Sequence, residues 1–341
     1  MARPASQQSG RAKTTTLDRE TLGSLHRALL GHDQRDFAPS WRGGFALRDS
    51  GLACGLTQRE GGPCGVLAAV QAYTIRELLE RSESAAIDPS TLSRQDAADA
   101  LISALAQIIW AARVGRLATV VSCKSRELPP LLAAAEALTA TQCGSQAEVL
   151  NALRACSGVY ALADGPGIAL FLYSVALTRG IAMLGRDADF PTPLIGVNGY
   201  CSQELVNLLL IGRAHSNVFD GEKNVGGDAN DGEATSGGGE GGGVRLKGVP
   251  RRALVGFLTL FERQGAEGTL LTVGSHYKRP MTPVFVVQSE SHYSVLWAQL
   301  AEGGSIELHY YDQMAERCDA LVIKTRWPAA EIDWNGEEVI L

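Results

Sequence analysis

The 341-residue sequence lacks the marks of several protein classes. Its seven cysteines contain no C-x-x-C pair, so a zinc site built from such pairs is absent from the sequence. It has no excess of basic residues, because 31 Lys and Arg stand against 37 Asp and Glu, which argues against nucleic acid as the main partner. Its most apolar segment, 167–184, is interrupted by Arg179 and is interpreted as one buried helix rather than a membrane span. The first 16 residues lack the apolar centre of a secretory signal.

These absences favour a protein of a reducing compartment. The cysteines are scattered and odd in number, which is typical of buried free thiols and not of a disulfide framework. We therefore expect a cytoplasmic localisation, with the nucleus as an additional compartment to be tested. We expect no cofactor and no bound metal, neither nucleic acid nor membrane as a partner, and a monomer.

Hydrophobic periodicity predicts a helical first half within a single domain over 17–341, preceded by a disordered tail over 1–16. A β-rich patch is predicted at 117–123, and the Gly-rich acidic segment 221–243 is interpreted as a flexible insertion. Helices are predicted at 17–30, from Cys64 to Leu79, at 90–115 with Ser90 or Ser93 as N-cap, at 129–139, 146–155 and 167–184, and after Ser202.

The second half is β-rich and predicts an antiparallel sheet. Two runs, 284–300 and 305–312, flank a Glu-Gly-Gly sequence at 302–304 that is typical of a hairpin turn. Shorter β-rich runs lie at 256–261 and 269–275. Helices first and strands later indicate the α+β class.

Cys64 is the candidate nucleophile. It opens a helical pattern, and the free N–H groups and positive dipole at a helix start favour a thiolate. The small residues at 61–63 and Gly65 leave room for a substrate beside the sulfur. Gln58, six residues earlier, is the candidate second oxyanion donor, next to the Cys64 backbone N–H. On this helix alone, a buried structural cysteine is the simpler explanation.

His292 is the candidate base. Strand alternation places His292, Ser294 and Leu296 on one face, and polar residues are unusual on a face that belongs wholly to a core. An exposed strand histidine is the alternative explanation. His309, on the following strand, is the main rival.

Asp312 is the candidate residue that orients this base. If the chain turns near 302–304, Asp312 returns close to the level of His292 and could accept its second ring N–H. A role as a turn residue at a strand end is equally compatible with the sequence. The chain order of cysteine, histidine and aspartate is that of papain-like peptidases.

Several segments resemble the MINDY family of deubiquitinases, in order along roughly residues 40–341. They are GLACGLTQREGGPCGVLAAVQAY, CSQELVNLLLIGRAHSNVFDG, LVGFLTLFE, VVQSESHYSVLW, LHYYDQ and WPAAEIDWNGEEVIL. The resemblance implies a papain-like fold and hydrolysis of the isopeptide bond in polyubiquitin, with a preference for lysine-48-linked chains. By match to the family motifs, Cys64 is the nucleophile, His292 the base and Gln58 the oxyanion-hole side chain. The role of Asp312 depends on the hairpin argument alone.

Two other functions remain open from the sequence. The first is a ubiquitin-binding module that keeps the fold without catalysis. The second is a papain-like enzyme that acts on a different substrate, such as a transglutaminase or a general peptidase.

Overall fold

The chain is a mixture of helices and strands, as the α+β prediction requires. The computed structural model describes residues 13–82, 86–87, 91–130, 135–225, 244–262, 272–300, 306–314 and 323–325. The helices are α1 (Arg19–Leu30), α2 (Cys64–Arg81), α3 (Arg94–Ala111), α4 (Gln146–Ala155), α5 (Ser157–Tyr160), α6 (Gly167–Arg179), α7 (Ile181–Asp187), α8 (Gln203–Ile211) and α9 (Ser275–Lys278), with a 3-10 turn at Pro39–Trp41. The strands are β1 (Lys13–Thr16), β2 (Ala118–Cys123), β3 (Leu138–Cys143), β4 (Glu222–Val225), β5 (Val244–Lys247), β6 (Gly256–Thr259), β7 (Val284–Ser289), β8 (His292–Leu300), β9 (Ile306–Tyr311) and β10 (Ile323–Thr325).

Serine side chains begin several of the predicted helices. The Ser93 hydroxyl accepts a hydrogen bond from the backbone N–H of Asp96 at the start of α3, and Ser202 does the same for Leu205 at the start of α8. Each serine satisfies one of the N–H groups that a helix start leaves without a partner. The alternative cap Ser90 lies outside the described residues.

The predicted helix over 167–184 is two helices. Gly180, with φ of +85°, ends α6 and begins α7, and the two helix axes differ in direction by 80°. Glycine adopts this backbone conformation without the steric cost that a side chain brings. In the part of the chain that the structure describes, no single helix meets the length and hydropathy expected of a bilayer span, and this bent pair meets them only when its two halves are taken together.

A three-stranded sheet in the order β1-β3-β2 corrects two predictions. Residues 13–16, predicted to be part of a disordered tail, pair antiparallel with β3, and Lys13 lies opposite Gln142. The predicted helix 129–139 is wrong at its end, since β3 begins at Leu138. Alternating threonines in β3 favour the strand, because a β-branched side chain loses rotamer freedom in a helix. Residues 1–12 and 131–134 lie outside the described part of the chain.

A five-stranded sheet in the order β10-β9-β8-β7-β6 forms the second half. It is mixed and not purely antiparallel, because β6 pairs parallel with β7. The run predicted as one strand over 284–300 folds back on itself as a tight β7–β8 hairpin, in which Ser289 pairs with His292 and Glu290 has φ of +53°. The 301–305 segment that carries the predicted turn lies outside the described residues, as do residues 269–271. The rest of the predicted β-rich run 269–275 is wrong, because 272–274 form no strand and Ser275 begins α9.

The predicted strand alternation in β8 is confirmed. Tyr293, Val295 and Trp297 belong to the main core, whereas Leu296 belongs to a small second cluster with Leu258, Phe285 and Val287. The main core also contains most of α2, which is buried on nearly every side and packs against α3 and β8. This packing brings the first turn of α2 beside the first residue of β8.

The segment 221–243 is ordered at its start. Glu222–Val225 pairs antiparallel with Val244–Lys247, so these four residues do not belong to a flexible insertion. Residues 226–243 lie outside the described part of the chain.

Candidate active site

Cys64 is the first residue of α2 and is buried, with 2% of its surface exposed. Its Sγ lies 3.6 Å from the carbonyl oxygen of Ser291, in the β7–β8 turn, and 3.9 Å from that of Gly62. Gly62 has φ of +131°, and a Cβ there would come within 3 Å of the Ser40 hydroxyl and the Trp41 indole nitrogen. The backbone before Cys64 therefore requires glycine both for its conformation and for space.

His292 begins β8 and lies between a thiol and a carboxylate. Its Nε2 is 2.9 Å from Oδ2 of Asp312, which leaves Nδ1 as the ring nitrogen for Cys64. Hydrogen bonds that the ring donates to Asp312 and to Cys64 raise the pKa of His292 from 6.5 to about 10, although burial of the ring acts in the opposite direction. The imidazole is therefore protonated at neutral pH in this arrangement.

Asp312 directly follows β9 and is brought to His292 by the β8–β9 register, in which Val295 pairs with Tyr311. Its second oxygen, Oδ1, accepts a 2.8 Å hydrogen bond from the backbone N–H of Met314. Burial raises the pKa of Asp312, but the hydrogen bonds from His292 and Met314 outweigh it, so the pKa lies below its ordinary value. The carboxylate is therefore ionised at neutral pH and fixed from both sides.

Gln58 is hydrogen-bonded to Gln313, the residue that follows Asp312. Its backbone N–H donates a 2.8 Å hydrogen bond to the carbonyl of Gln313. Its side-chain Nε2 donates to the carbonyl of Glu60 at 2.8 Å, while its Oε1 is buried and has no hydrogen-bond partner among the described residues. Gln58 and Pro63 line one groove beside the start of α2. The side-chain Nε2 of Gln58 has two N–H bonds, and the Glu60 carbonyl accepts from one of them.

His309, the rival base, is placed elsewhere. It pairs with Trp297 in the sheet, and the two rings stack with their centroids 4.9 Å apart. Burial lowers the pKa of His309, opposed by Glu307, whose Oε2 lies 3.5 Å from Nε2. Since Trp297 is five positions along β8 from His292, His309 belongs to a different part of the sheet from the thiol.

One cysteine near Cys64 was not singled out from the sequence. Cys201, immediately before the N-cap of α8, has its Sγ 3.7 Å from the carbonyl oxygen of Gly62. Its position at the head of the CSQELVNLLLIGRAHSNVFDG segment was the available signal. Six cysteines are described, none of them in a disulfide, and Cys318 lies outside the described residues.

The arrangement has the parts that nucleophilic catalysis by sulfur requires. A cysteine lies at a helix N-terminus, where the dipole favours an anion, and a carboxylate-bound imidazole contacts it. The backbone N–H of the first helical residue has no partner within the helix and can bind a developing oxyanion. In the part of the chain that the structure describes, no group of three or more His, Cys, Asp or Glu side chains is arranged to hold a metal ion.

Comparison with known proteins gives a family match over most of the chain. The family model described as "Deubiquitinating enzyme MINDY-3/4, conserved domain" matches residues 26–322. The human "Probable ubiquitin carboxyl-terminal hydrolase MINDY-4" is 34% identical, and the match covers 95% of this chain and 46% of that protein. The Bos taurus protein of the same name is 31% identical over the same shares of both chains.

A third relative has a different name. The Mus musculus "Ubiquitin carboxyl-terminal hydrolase MINDY-3" is 32% identical, over 76% of this chain and 60% of that protein. The chain spans about half the length of the MINDY-4 relatives that it matches. No solved structure gives a significant match. The extent of the family match and the identity to these relatives show that this chain belongs to the MINDY-3/4 family.

Proposed function

We propose that this chain is a cysteine-type deubiquitinase that hydrolyses the isopeptide bond of polyubiquitin. The observation that carries the proposal is the contact of Cys64, at the start of α2, with the imidazole of His292. Asp312 accepts a hydrogen bond from Nε2 of the same ring. The relatives' names, which describe ubiquitin carboxyl-terminal hydrolases, supply the substrate class. We further propose a papain-like arrangement of the three side chains and a preference for lysine-48-linked chains.

In the first half of the reaction, the Cys64 thiolate attacks the carbonyl carbon of the C-terminal glycine of ubiquitin. The negative charge that develops on the carbonyl oxygen is stabilised by the Cys64 backbone N–H and by the side-chain amide of Gln58. The imidazolium of His292 donates its proton to the departing lysine amine. Its raised pKa suits this step, because the ring arrives already protonated.

In the second half, a water molecule hydrolyses the thioester. His292, now neutral, accepts a proton from that water and returns to the imidazolium form as the Cys64 thiolate leaves. Asp312 accepts the Nε2–H bond throughout, which keeps Nδ1 directed to the sulfur and stabilises the positive ring.

A ubiquitin probe with a C-terminal electrophile tests the nucleophile directly. We expect the probe to label the wild-type chain at Cys64 and to leave Cys64→Ala unlabelled. His292→Ala should lose chain cleavage, by about 10²-fold or more. His309→Gln is the matched control, because it removes the rival imidazole from the same sheet, and it should cleave ubiquitin chains at close to the wild-type rate.

Ubiquitin dimers of each linkage test the substrate preference. Faster cleavage of the lysine-48-linked dimer than of the others would support the proposed preference for lysine-48-linked chains. Equal rates for all linkages would contradict it. Binding of ubiquitin without labelling would select a silent binding module. Cleavage of unrelated peptides, with ubiquitin chains left intact, would select a different substrate class.

A further inference from the structure

The Cys201 thiol lies at the candidate active site without a role in the reaction proposed above. Its Sγ is 3.7 Å from the carbonyl oxygen of Gly62, and the Cys64 Sγ is 3.9 Å from that same oxygen. The two sulfur atoms thus approach one acceptor, although 137 positions separate the residues in the sequence. Both residues are buried, with 9% of Cys201 and 2% of Cys64 exposed.

Gly65 makes this approach possible. A Cβ at Gly65 would lie 3.0 Å from both the Cβ and the Sγ of Cys201, so the Cys201 side chain occupies the space that the missing side chain leaves. Burial raises the pKa of the Cys201 thiol, and the backbone N–H groups of Val66 and Gly65 act in the opposite direction, which they do from the first turn of α2. Cys201 therefore packs directly on the first turn of α2, adjacent to the nucleophile.

The Cys201 sulfur does not have the negative charge that a thiol nucleophile requires. Burial, together with the nearby Cys64 sulfur, raises the pKa of the Cys201 thiol far above its ordinary value. Cys201 is therefore a neutral thiol at neutral pH, and it does not compete with Cys64 for an electrophilic substrate.

We propose that Cys201 is the resolving cysteine of Cys64, and that the two form a reversible disulfide when the nucleophile is oxidised by a peroxide. The proposal rests on the proposed function in one respect, namely that Cys64 is the nucleophile of the site. In this proposal Cys201 is a site of redox modification, and the disulfide protects Cys64 from irreversible oxidation.

The reaction has two steps. In the first, the Cys64 thiolate attacks one oxygen of hydrogen peroxide, the O–O bond breaks, and the products are Cys64 sulfenic acid and hydroxide. In the second, the Cys201 sulfur attacks the Cys64 sulfur, the S–O bond breaks, and the departing hydroxide takes the Cys201 proton to form water. Cys64 is oxidised by two electrons in the first step, and the disulfide then retains that oxidation state across both sulfurs. A dithiol reductant reverses it by thiol–disulfide exchange.

Peptide mapping of the intact chain tests the proposal without reference to ubiquitin. Trypsin places Cys64 in the peptide 60–76 and Cys201 in the peptide 187–213, and neither peptide contains another cysteine. After brief treatment with hydrogen peroxide and alkylation of the free thiols, we expect one species that contains both peptides joined and is two hydrogen atoms lighter than their sum. Treatment with dithiothreitol before digestion should return both peptides as free thiols.

The Cys201→Ser variant completes the test, with Cys156→Ser as the control from another part of the chain. Without the resolving thiol, Cys64 should proceed to sulfinic acid, and the reducible fraction of Cys64 should fall about fivefold or more, while Cys156→Ser behaves as wild type. The proposal is overturned if wild-type Cys64 reaches sulfinic acid as fast as in Cys201→Ser, or if it pairs with a different cysteine. If the joined peptide forms but ubiquitin chains are not cleaved, the proposed function fails and the disulfide stands.

Discussion

Nε2 of His292 donates a 2.9 Å hydrogen bond to Oδ2 of Asp312, 20 positions later in the chain. The β8–β9 pairing creates this contact, because His292 begins one strand and Asp312 follows the end of its antiparallel neighbour. The bond fixes which ring nitrogen faces the thiol. It therefore links the register of a sheet to the protonation state of the candidate base.

Replacing this carboxylate should change the pH dependence of activity. In Asp312→Asn the largest cause of the raised His292 pKa is removed, so the pKa should fall from about 10 toward 6.5. The high-pH limb of kcat/KM, measured with a fluorogenic ubiquitin substrate, should move to lower pH, and kcat/KM at neutral pH should fall about 10²-fold. Glu307→Gln, which alters the neighbour of His309 instead, should leave the limb in place.

The same contact should make stability depend on pH. Because the folded pKa of His292 is raised above its unfolded value, protonation of His292 stabilises the native state fully below pH 6.5, and this contribution is lost as the pH rises through about 10. Wild type and Asp312→Asn should therefore differ most in Tm near pH 6.5 and converge above pH 10. A difference in Tm that grows between these values would contradict the raised pKa.

Removing the amide of Gln58 should lower the rate of chemistry without altering the thiol. We expect Gln58→Ala to reduce kcat by about 10²–10³-fold, since one oxyanion donor is lost. The rate at which iodoacetamide alkylates Cys64 should stay close to that of wild type, because this reaction forms no oxyanion. Glu60→Ala is the control, since it keeps the backbone carbonyl to which the Gln58 amide donates.

Two adjacent glycines should differ in how much stability the protein loses when each is replaced by alanine. Gly62→Ala places a methyl group about 3 Å from Ser40 and Trp41 in a backbone conformation that side chains disfavour, and should cost about 1–3 kcal/mol of stability. Gly62→Ala should also slow the alkylation of Cys64, because the backbone just before Cys64 must shift. A Cβ at Gly61 would have no atom of the described residues within 4 Å, so Gly61→Ala should change the free energy of unfolding by less than about 0.5 kcal/mol. Equal effects of the two substitutions, measured by urea unfolding, would contradict this account.

Local signals made the helices of the site predictable from the sequence. The start of α2 follows from Pro63 and the apolar pattern after Cys64, and the start of α8 follows from the Ser202 cap. Strand alternation in β8 also followed from the sequence, because a period of two is set by the backbone alone. These features need no knowledge of distant contacts.

Features that depend on tertiary pairing were missed. The β7–β8 turn at Glu290 lies inside a run of strand-forming residues, with no Gly, Pro or Asn to mark it, and only its pairing defines it. The parallel pairing of β6 with β7 is likewise set by the topology, not by the pattern within either strand. The approach of Cys201 to Cys64 is a contact over 137 positions, so neither local sequence contains it.

A buried ion pair far from the site offers a test of the fold itself. Nε and Nη2 of Arg179 each donate a 2.6 Å hydrogen bond to Asp187, and both side chains are about 95% buried. Oδ2 of Asp187 also accepts from the backbone N–H of Ala214. Asp187→Ala should therefore cost about 3–5 kcal/mol of unfolding free energy, because it leaves a buried guanidinium and a buried N–H without a partner. The double variant Arg179→Met with Asp187→Leu should cost less than Asp187→Ala alone, since no charge is then buried.

Asp49→Ala, which removes the partner of Arg94 in an exposed pair, should cost no more than about 1 kcal/mol. Urea unfolding of the four proteins would contradict the buried pair if Asp187→Ala and Asp49→Ala were equally stable.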